Sequence, residues 1–352
     1  MKFKNCLPTL TVLLTVKNNV ETIDLCLNSL VKQKYPKEKY EILVVDAFSD
    51  DGTWEKLIDF KKKIKKPRII LLRKKSNPPT AYNYAIKYIK TDYIAFIDGD
   101  CVADKNWLIE LVKPFLIEKN VENISGVAGI VLNPRKPENK LQEIIGNELL
   151  ERYKHFPKKL SRAATMNLLI KTKLVKKVKF DTNLDVVYDT DFGYRLTKKY
   201  GKILYQRNAK IYHYHRSSWK KFFKQQFKYA NFVPLLYLKH LDKIKGDHVS
   251  TPTMGIQIIL VYIFLIFASL SIFFDYLLLC ALFSIFVLLG IWILSICKLP
   301  RKEFKDILYY FGIFVLRLIA WSLGIIIGSL NLIRKKVNIS NKNKKQMILC
   351  LQ

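Results

Sequence analysis

The stretch DYIAFIDGD, Asp92 to Asp100, decides how this chain is read. Tyr93 to Ile97 is a short uncharged run between two aspartates, as expected of a strand buried on both faces of a sheet. It ends at Asp98, followed by Gly99 and Asp100. Two carboxylates one residue apart at a strand end, with a glycine to let the chain turn, suit a hard divalent cation. Such an ion can bridge the phosphates of a nucleotide.

Upstream, the same alternation repeats. Leu10–Val16 and Tyr40–Asp46 are apolar runs rich in Val, Leu and Ile, and Pro67–Arg73 is a third; all read as buried strands. Between them Val20, Ile23, Leu27, Leu30 and Val31 share one helical face, with Asn18 or Asn19 as the cap. Thr53–Lys65 and Pro79–Lys90 are further helices. Strand alternating with helix at this spacing predicts an α/β fold with a mainly parallel sheet flanked by helices and right-handed crossovers. Ligands of such sheets sit outside the carboxyl ends of the strands. Thr15 to Asn18, Asp46 to Thr53 and Asp98 to Asp100 all fall there.

Downstream the pattern loosens. Asp104–Glu118 reads as a helix that Pro114 kinks or shortens, Ile124–Leu132 as a strand, and Glu138–His155 as a helix. Val187–Tyr200 is another helix, closed by Gly201, and Lys202–Gln206 and Lys210–His215 are two short strands. Ser217–Lys245 interleaves Trp219, Phe222, Phe223, Phe227, Tyr229 and Phe232 with lysines, as helices lying in a bilayer interface do.

Three apolar segments close the chain, at 254–274, 277–297 and 307–333, each long enough for the ~20 residues that a bilayer crossing takes. The first two read as a hairpin around Asp275-Tyr276. The basic loop Lys298–Lys305 then falls on the cytosolic side by the positive-inside rule. A third crossing would leave Arg334, Lys335 and Lys336 outside, against that rule, and would carry Arg317 through the bilayer. Two or three crossings are therefore both open. The expected organisation is a cytosolic domain over 1–216, basic amphipathic helices over 217–252, a membrane region over 253–334 and a basic tail over 335–352.

The formal net charge is +31. Lysine abundance alongside Ile and Asn accounts for part of it as compositional bias, and attraction to anionic lipid headgroups and phosphate-bearing substrates for the rest. No helix-turn-helix, zinc or RNA-binding pattern accompanies the charge, so nucleic acid is not expected as a partner. The six cysteines show no CxxC spacing, which argues against a zinc site or disulfide framework and suits a reducing cytosol. Met1-Lys2-Phe3-Lys4 before the apolar run to Val16 imitates a signal peptide, but no small-residue cleavage site follows.

Six segments together resemble a known family: TVLLTVKNN (11–19), EILVVDAFSDDGTWE (41–55), TAYNYAI (80–86), DYIAFIDGDC (92–101), YDTDFGYRL (188–196) and AKIYHYHRSS (209–218). In this order they resemble a family-2 glycosyltransferase with the Rossmann-like GT-A fold, followed here by C-terminal transmembrane helices. The resemblance implies that Thr15 and Asp46 contact the nucleoside, and that Asp98 faces the ribose or metal. It also implies that Asp100 and His213 bind a divalent cation, Mg2+ or Mn2+, and that Asp189 is the general base. Ala47 and Phe48 replace the residues the family usually places after Asp46, which leaves the base open. Tyr188 stands where the family usually has Glu. Asp51-Gly52-Thr53 reads equally as a capped turn, and Asp191 with Arg195 as a pair along a helix. Gln225-Gln226-Phe227-Lys228-Tyr229 is a degenerate form of the QxxRW element of processive synthases, with Lys228 set to hold the acceptor or the diphosphate.

The expected activity is an inverting, metal-dependent single displacement from a nucleotide-sugar to a lipid-linked, polyprenyl-based glycan acceptor. It would run at the cytosolic face of the plasma membrane, in a multi-pass protein. A polyprenyl-phosphate sugar synthase is the alternative, and a non-catalytic nucleotide-sugar-binding protein a weaker one. Sugar nucleotidyltransferases are disfavoured, because Val16-Lys17-Asn18-Asn19 lacks their Gly-rich, basic loop.

Overall fold

The computed structural model describes residues 7–117, 121–299 and 303–349. The chain divides into two compact units, Met1–Ser217 and Ser218–Gln352. The first unit is built on nine strands. β1 (Leu10–Val16), β2 (Tyr40–Asp46), β3 (Arg68–Arg73) and β4 (Tyr93–Phe96) are the strands expected from the sequence. They lie side by side in the order β3-β2-β1-β4, all parallel. Their apolar runs are buried because helices cover both faces. These helices include α1 (Ile23–Val31), α2 (Thr53–Lys63), α3 (Pro78–Ala85) and α4 (Trp107–Ile117), the last holding Pro114 inside it.

The remaining strands add short antiparallel ladders to the mainly parallel sheet and so make it mixed. They are β5 (Cys101–Ala103), β6 (Ile124–Leu132), β7 (Lys159–Leu160), β8 (Leu168–Lys171) and β9 (Lys202–His213). Beyond β4 the order runs β8-β6-β9-β5, with β7 on β9. β8 is antiparallel to β4 and β6, and β5 is antiparallel to β9, while β6 and β9 are parallel. α5 (Lys140–Lys154), α6 (Thr172–Val178) and α7 (Tyr188–Tyr200) complete this unit.

Three expectations need correction. Lys202 to His213 is one strand, not two; the register jumps between Gly129/Gln206 and Ile130/Lys210, so residues 207–209 bulge out and the ladder resumes. Neither Asn18 nor Asn19 caps α1. The N-cap is Thr22, and Asn19 instead gives its carbonyl to the Thr22 and Ile23 N–H groups. β5 falls where the sequence ran straight into a helix, because a three-residue strand carries too little periodicity to be seen.

The second unit holds α8 (Trp219–Lys239), α9 (Pro252–Leu270), α10 (Leu277–Cys297) and α11 (Phe304–Leu349). Pro252–Leu270, Leu277–Cys297 and Phe304–Arg334 are each long and apolar enough to cross a membrane. The Trp292 indole donates to Gln257 Oε1 at 3.0 Å, joining α9 and α10 as a hairpin. α8 lies along α11: Trp219 stacks on Tyr309 at 5.7 Å, and the Trp321 indole donates to Gln226 Oε1 at 3.0 Å. Gly324 and Gly328 let the two backbones approach, since a Cβ at Gly328 would stand 2.1 Å from the Asn231 carbonyl oxygen.

The β6–β9 contact at the bulge is equally tight. A Cβ on Gly129 would lie 2.0 Å from the Ala209 carbonyl oxygen and 2.4 Å from Asn167 Nδ2. Gly129→Ala should therefore cost about 2 kcal/mol through overpacking. In a thermal melt of the detergent-solubilised chain, that is a fall in Tm on the order of 5 °C.

Candidate active site

The parallel register aligns the carboxyl ends of β1, β2 and β4. Val16 pairs with Asp46 and Leu13 with Phe96, and the Ile97 N–H continues to the Leu13 carbonyl at 3.3 Å. Thr15, Asp46 and Asp98 therefore leave the sheet along one edge.

The turn from Asp98 to Asp100 is fixed from below. The Cys101 N–H donates to the Asp98 carbonyl at 3.1 Å, and the Thr22 hydroxyl to the Gly99 carbonyl at 3.0 Å. Glycine is required at 99 by space: a Cβ there would come within 2.9 Å of Val16 Cγ1. The chain then enters β5, whose Cys101 pairs with His213 of β9, and the Tyr214 N–H donates to the Asp100 carbonyl at 2.9 Å. This pairing, across more than a hundred residues, sets His213 Nε2 3.4 Å from Asp100 Oδ1, with Arg216 Nη1 3.9 Å from Asp100 Oδ2. The ring of His215 packs edge-on against that of His213 at 4.2 Å.

Burial pushes the Asp98 carboxyl up to about 7, helped by the charges of Asp100 and Asp189 and opposed by His213 and Arg216. For Asp100, burial also raises, but His213 and Arg216 outweigh it and hold the group at about 2. Burial and the nearby His213 keep His215 well below the usual histidine range. Burial also raises the Cys101 thiol well above its ordinary value, with the charges of Asp100 and Asp98 adding to it.

Asp100, Cys101 and His213 each offer a ligand atom within 4.8 Å of the others. Among the described residues, His213 Nδ1 and His215 Nε2 are buried without a hydrogen-bond partner. A carboxylate beside an imidazole, with unspent ring nitrogens around them, fits a divalent cation of the Mg2+ or Mn2+ kind. Asp98, two residues from Asp100 at the same turn, lies outside that trio.

Asp189 stands in the first turn of α7, after Val187 in the left-handed region at φ 55°. The loop before it is pinned to α3. The Asn83 amide donates to the Phe180 carbonyl at 2.8 Å and accepts from the Phe180 N–H at 2.9 Å. Asn77 reaches the Thr182 carbonyl and Asp185. Burial raises the Asp189 carboxyl above the ordinary aspartate value, against the pull of the Arg162 guanidinium and the Thr190 N–H. Arg162, itself nearly buried, donates to the Thr190 hydroxyl at 2.9 Å. Asp191 pairs with Arg195 at 2.6 Å, and Arg195 also holds the Val178 and Lys179 carbonyls, so this pair ties the helix to the preceding loop.

Asp46 is fully buried. It accepts from the Ser49 hydroxyl at 2.5 Å, from the Ser49 N–H, and from Arg73 Nε at 2.9 Å. The Arg73 guanidinium lies 4.6 Å from the Phe48 ring and 4.9 Å from Trp54. Phe48 itself is about half exposed and sits at φ 60°. A bulky residue there costs about 1–3 kcal/mol, more than the ~0.5–1 kcal/mol that an exposed ring over a cation returns. Asp51 accepts from Val20 and Thr53 N–H groups and from the Thr53 hydroxyl, which makes it the capped turn that the sequence allowed. Lys228 lies on α8, in the second unit.

Residues 11–179 match the model of Glycosyl transferase family 2. That stretch, just under half of the chain, is similar to family 2 glycosyltransferase domains. Its named relatives are glycosyltransferases as well. Glycosyltransferase AglE of Haloferax volcanii is 33% identical over 207 residues, which cover 54% of this chain and 64% of that protein. The dolichyl N-acetyl-alpha-D-glucosaminyl phosphate 3-beta-D-2,3-diacetamido-2,3-dideoxy-beta-D-glucuronosyltransferase of Methanococcus voltae is 27% identical, covering 63% of this chain and 71% of that protein. The chain thus spans just under two thirds of the Haloferax protein. Among solved structures, the mannosyltransferase PcManGT of Pyrobaculum calidifontis, in complex with GDP-Man and Mn2+, superposes with a TM-score of 0.55 at 14% identity. That superposition covers 92% of this chain and 86% of the other, and at that identity it speaks for the fold alone. The glycosyltransferase domain has the GT-A fold.

Arg73, Cys101, Arg162 and Arg216 were not among the site residues expected from the sequence. Arg73 alone had a local signal, as the polar end of a buried strand. Replacing Arg73 by Ala strands the buried Asp46 charge with only Ser49 as partner. A loss of about 2–3 kcal/mol is expected, read as a lower denaturation midpoint, and Arg73→Lys should recover part of it.

Proposed function

We propose that this protein transfers a sugar, with inversion, from a nucleotide-sugar to a lipid-linked glycan at the cytosolic face of the plasma membrane. The observation that carries the proposal is the meeting of Asp100 and His213 at the carboxyl edge of a family 2 glycosyltransferase domain. The Methanococcus relative supports it, since that protein is named for transfer of a sugar to a dolichyl-phosphate-linked one. The apolar helices that follow the domain in the chain fit an acceptor held in a bilayer.

In this reading Thr15 and Asp46 hold the nucleoside end, with Arg73 bound to the Asp46 carboxylate at 2.9 Å. Asp100 and His213 hold the divalent cation, with Asp98 as a further ligand or ribose contact. When bound, the cation neutralises charge on the nucleoside diphosphate. Asp189 accepts the acceptor's hydroxyl proton as that oxygen attacks the anomeric carbon, and the bond from that carbon to the diphosphate breaks. Arg162 keeps the buried Asp189 available as a carboxylate, and the Asn77 and Asn83 anchors fix where it stands. Lys228 is assigned to the anionic end of the acceptor or of the diphosphate.

Asp189→Asn should lower kcat by roughly 100-fold or more while leaving the donor KM near the parent value. Full transfer by a folded Asp189→Asn protein in a radiolabelled-sugar assay would refute the role. The raised Asp189 value also sets the direction of the pH profile. The proton-accepting form is present above that value and is lost as pH falls through it. Turnover should therefore drop at a higher pH than an ordinary aspartate would give, and the acidic limb of kcat against pH measures this.

A further inference from the structure

The third apolar segment conflicts with its own charges if it crosses a bilayer, and the packing of the second unit removes the conflict. α8 and α11 run parallel. Trp219 stacks on Tyr309, Phe222 lies under the Arg317 guanidinium at 5.8 Å, Gln226 accepts from Trp321, and Ala230 faces Gly324. These α8 residues, at spacings of three and four, form one face. At 100° per residue, Lys221, Lys224 and Lys228 lie on the opposite face, and all three are exposed. A crossing α11 would carry this lysine face into the acyl region alongside it, where lysine is costly.

Contacts with the hairpin give the inclination. Trp292 of α10 meets Gln257 of α9 and packs on Phe311 and Phe314, whereas Tyr262 donates to the Ser322 carbonyl at 2.8 Å. From Gln257 to Tyr262 is about 7 Å along the hairpin, while the matching contacts on α11 are about 12–16 Å apart along its own axis. α11 therefore slants steeply across the hairpin near its open end instead of running beside it. Its exposed residues Leu308, Ile319, Leu323, Ile326 and Leu330 make one apolar stripe.

We infer that α8 and α11 are a paired platform lying in the membrane surface, so that only the α9–α10 hairpin crosses. The apolar stripe of α11 dips into the acyl boundary, and Lys221 and Lys224 of α8 meet anionic headgroups. Arg334 and the lysines after it then stay on the same side as the basic loop that precedes α11, as the positive-inside rule requires.

The test uses the full chain in phosphatidylcholine vesicles with and without phosphatidylglycerol. Nitroxide labels are placed one at a time at Leu308→Cys, Ile319→Cys and Leu330→Cys. Depth is read from oxygen against nickel-chelate relaxation. All three labels should report similar shallow depths, and a label at Lys224→Cys should sit at headgroup level, with less chelate access when anionic lipid is present. A reporter fused after Gln352 should lie on the same side as the amino-terminal domain. A depth maximum at 319 flanked by two shallow labels, or a reporter on the opposite side, would overturn the inference. Neither measurement depends on sugar transfer, so the outcome is independent of the proposed activity.

Discussion

Three carboxylates share the buried edge of the sheet, and the cost of burying their charge is the constraint that the rest of the site answers. Left alone, Asp98, Asp100 and Asp189 would be driven toward protonation by burial, as Asp98 already shows. Each is met by a cation or ring delivered from a distant element. His213 and Arg216 come from the end of β9 and the loop after it, and Arg162 from the loop between β7 and β8. Asp46 repeats the solution two strands along the edge, with Arg73 from the end of β3. The sheet gathers the negative charge at strand ends, and the crossovers and late strands bring what offsets it. A divalent cation between Asp100 and His213 would complete that compensation.

Much of this was readable from residues alone. β1 to β4 are continuous apolar runs closed by polar residues, so both their existence and their parallel arrangement followed from period and spacing. The carboxyl-edge position of Asp46 and Asp98 followed in turn. The Asp191–Arg195 pair was legible because four residues on a helix put two side chains on one face. The second half of the sheet was harder for a physical reason. β5 and β7 have three and two residues, so no alternation exists to detect, and what holds them is pairing with β9. The same applies to the bulge, which looks in sequence like the end of one strand and the start of another.

The partners of the site residues were the least legible part. Nothing near Asp100 announces that Arg216 will face it, and nothing near Asp189 announces Arg162, because both pairings are made by strand register and loop path. Phe48 illustrates the reverse case. The sequence flagged it as a departure after Asp46, and the structure gives that departure a physical form: an aromatic residue in left-handed backbone, its ring against Arg73. The local rule is broken beside the proposed nucleoside end, where such violations tend to collect.

The pairing of β5 with β9 also imposes an order on biosynthesis. Cys101–Ala103 leaves the ribosome long before Lys202–His213, so the edge that β9 will occupy stays open through synthesis of about a hundred residues. The Asp100–His213 contact can form only after β9 has emerged. Apolar chain long enough to cross a membrane follows within a few dozen residues. The finishing strand of the sheet and the first helix long enough to cross a membrane are thus made in close succession.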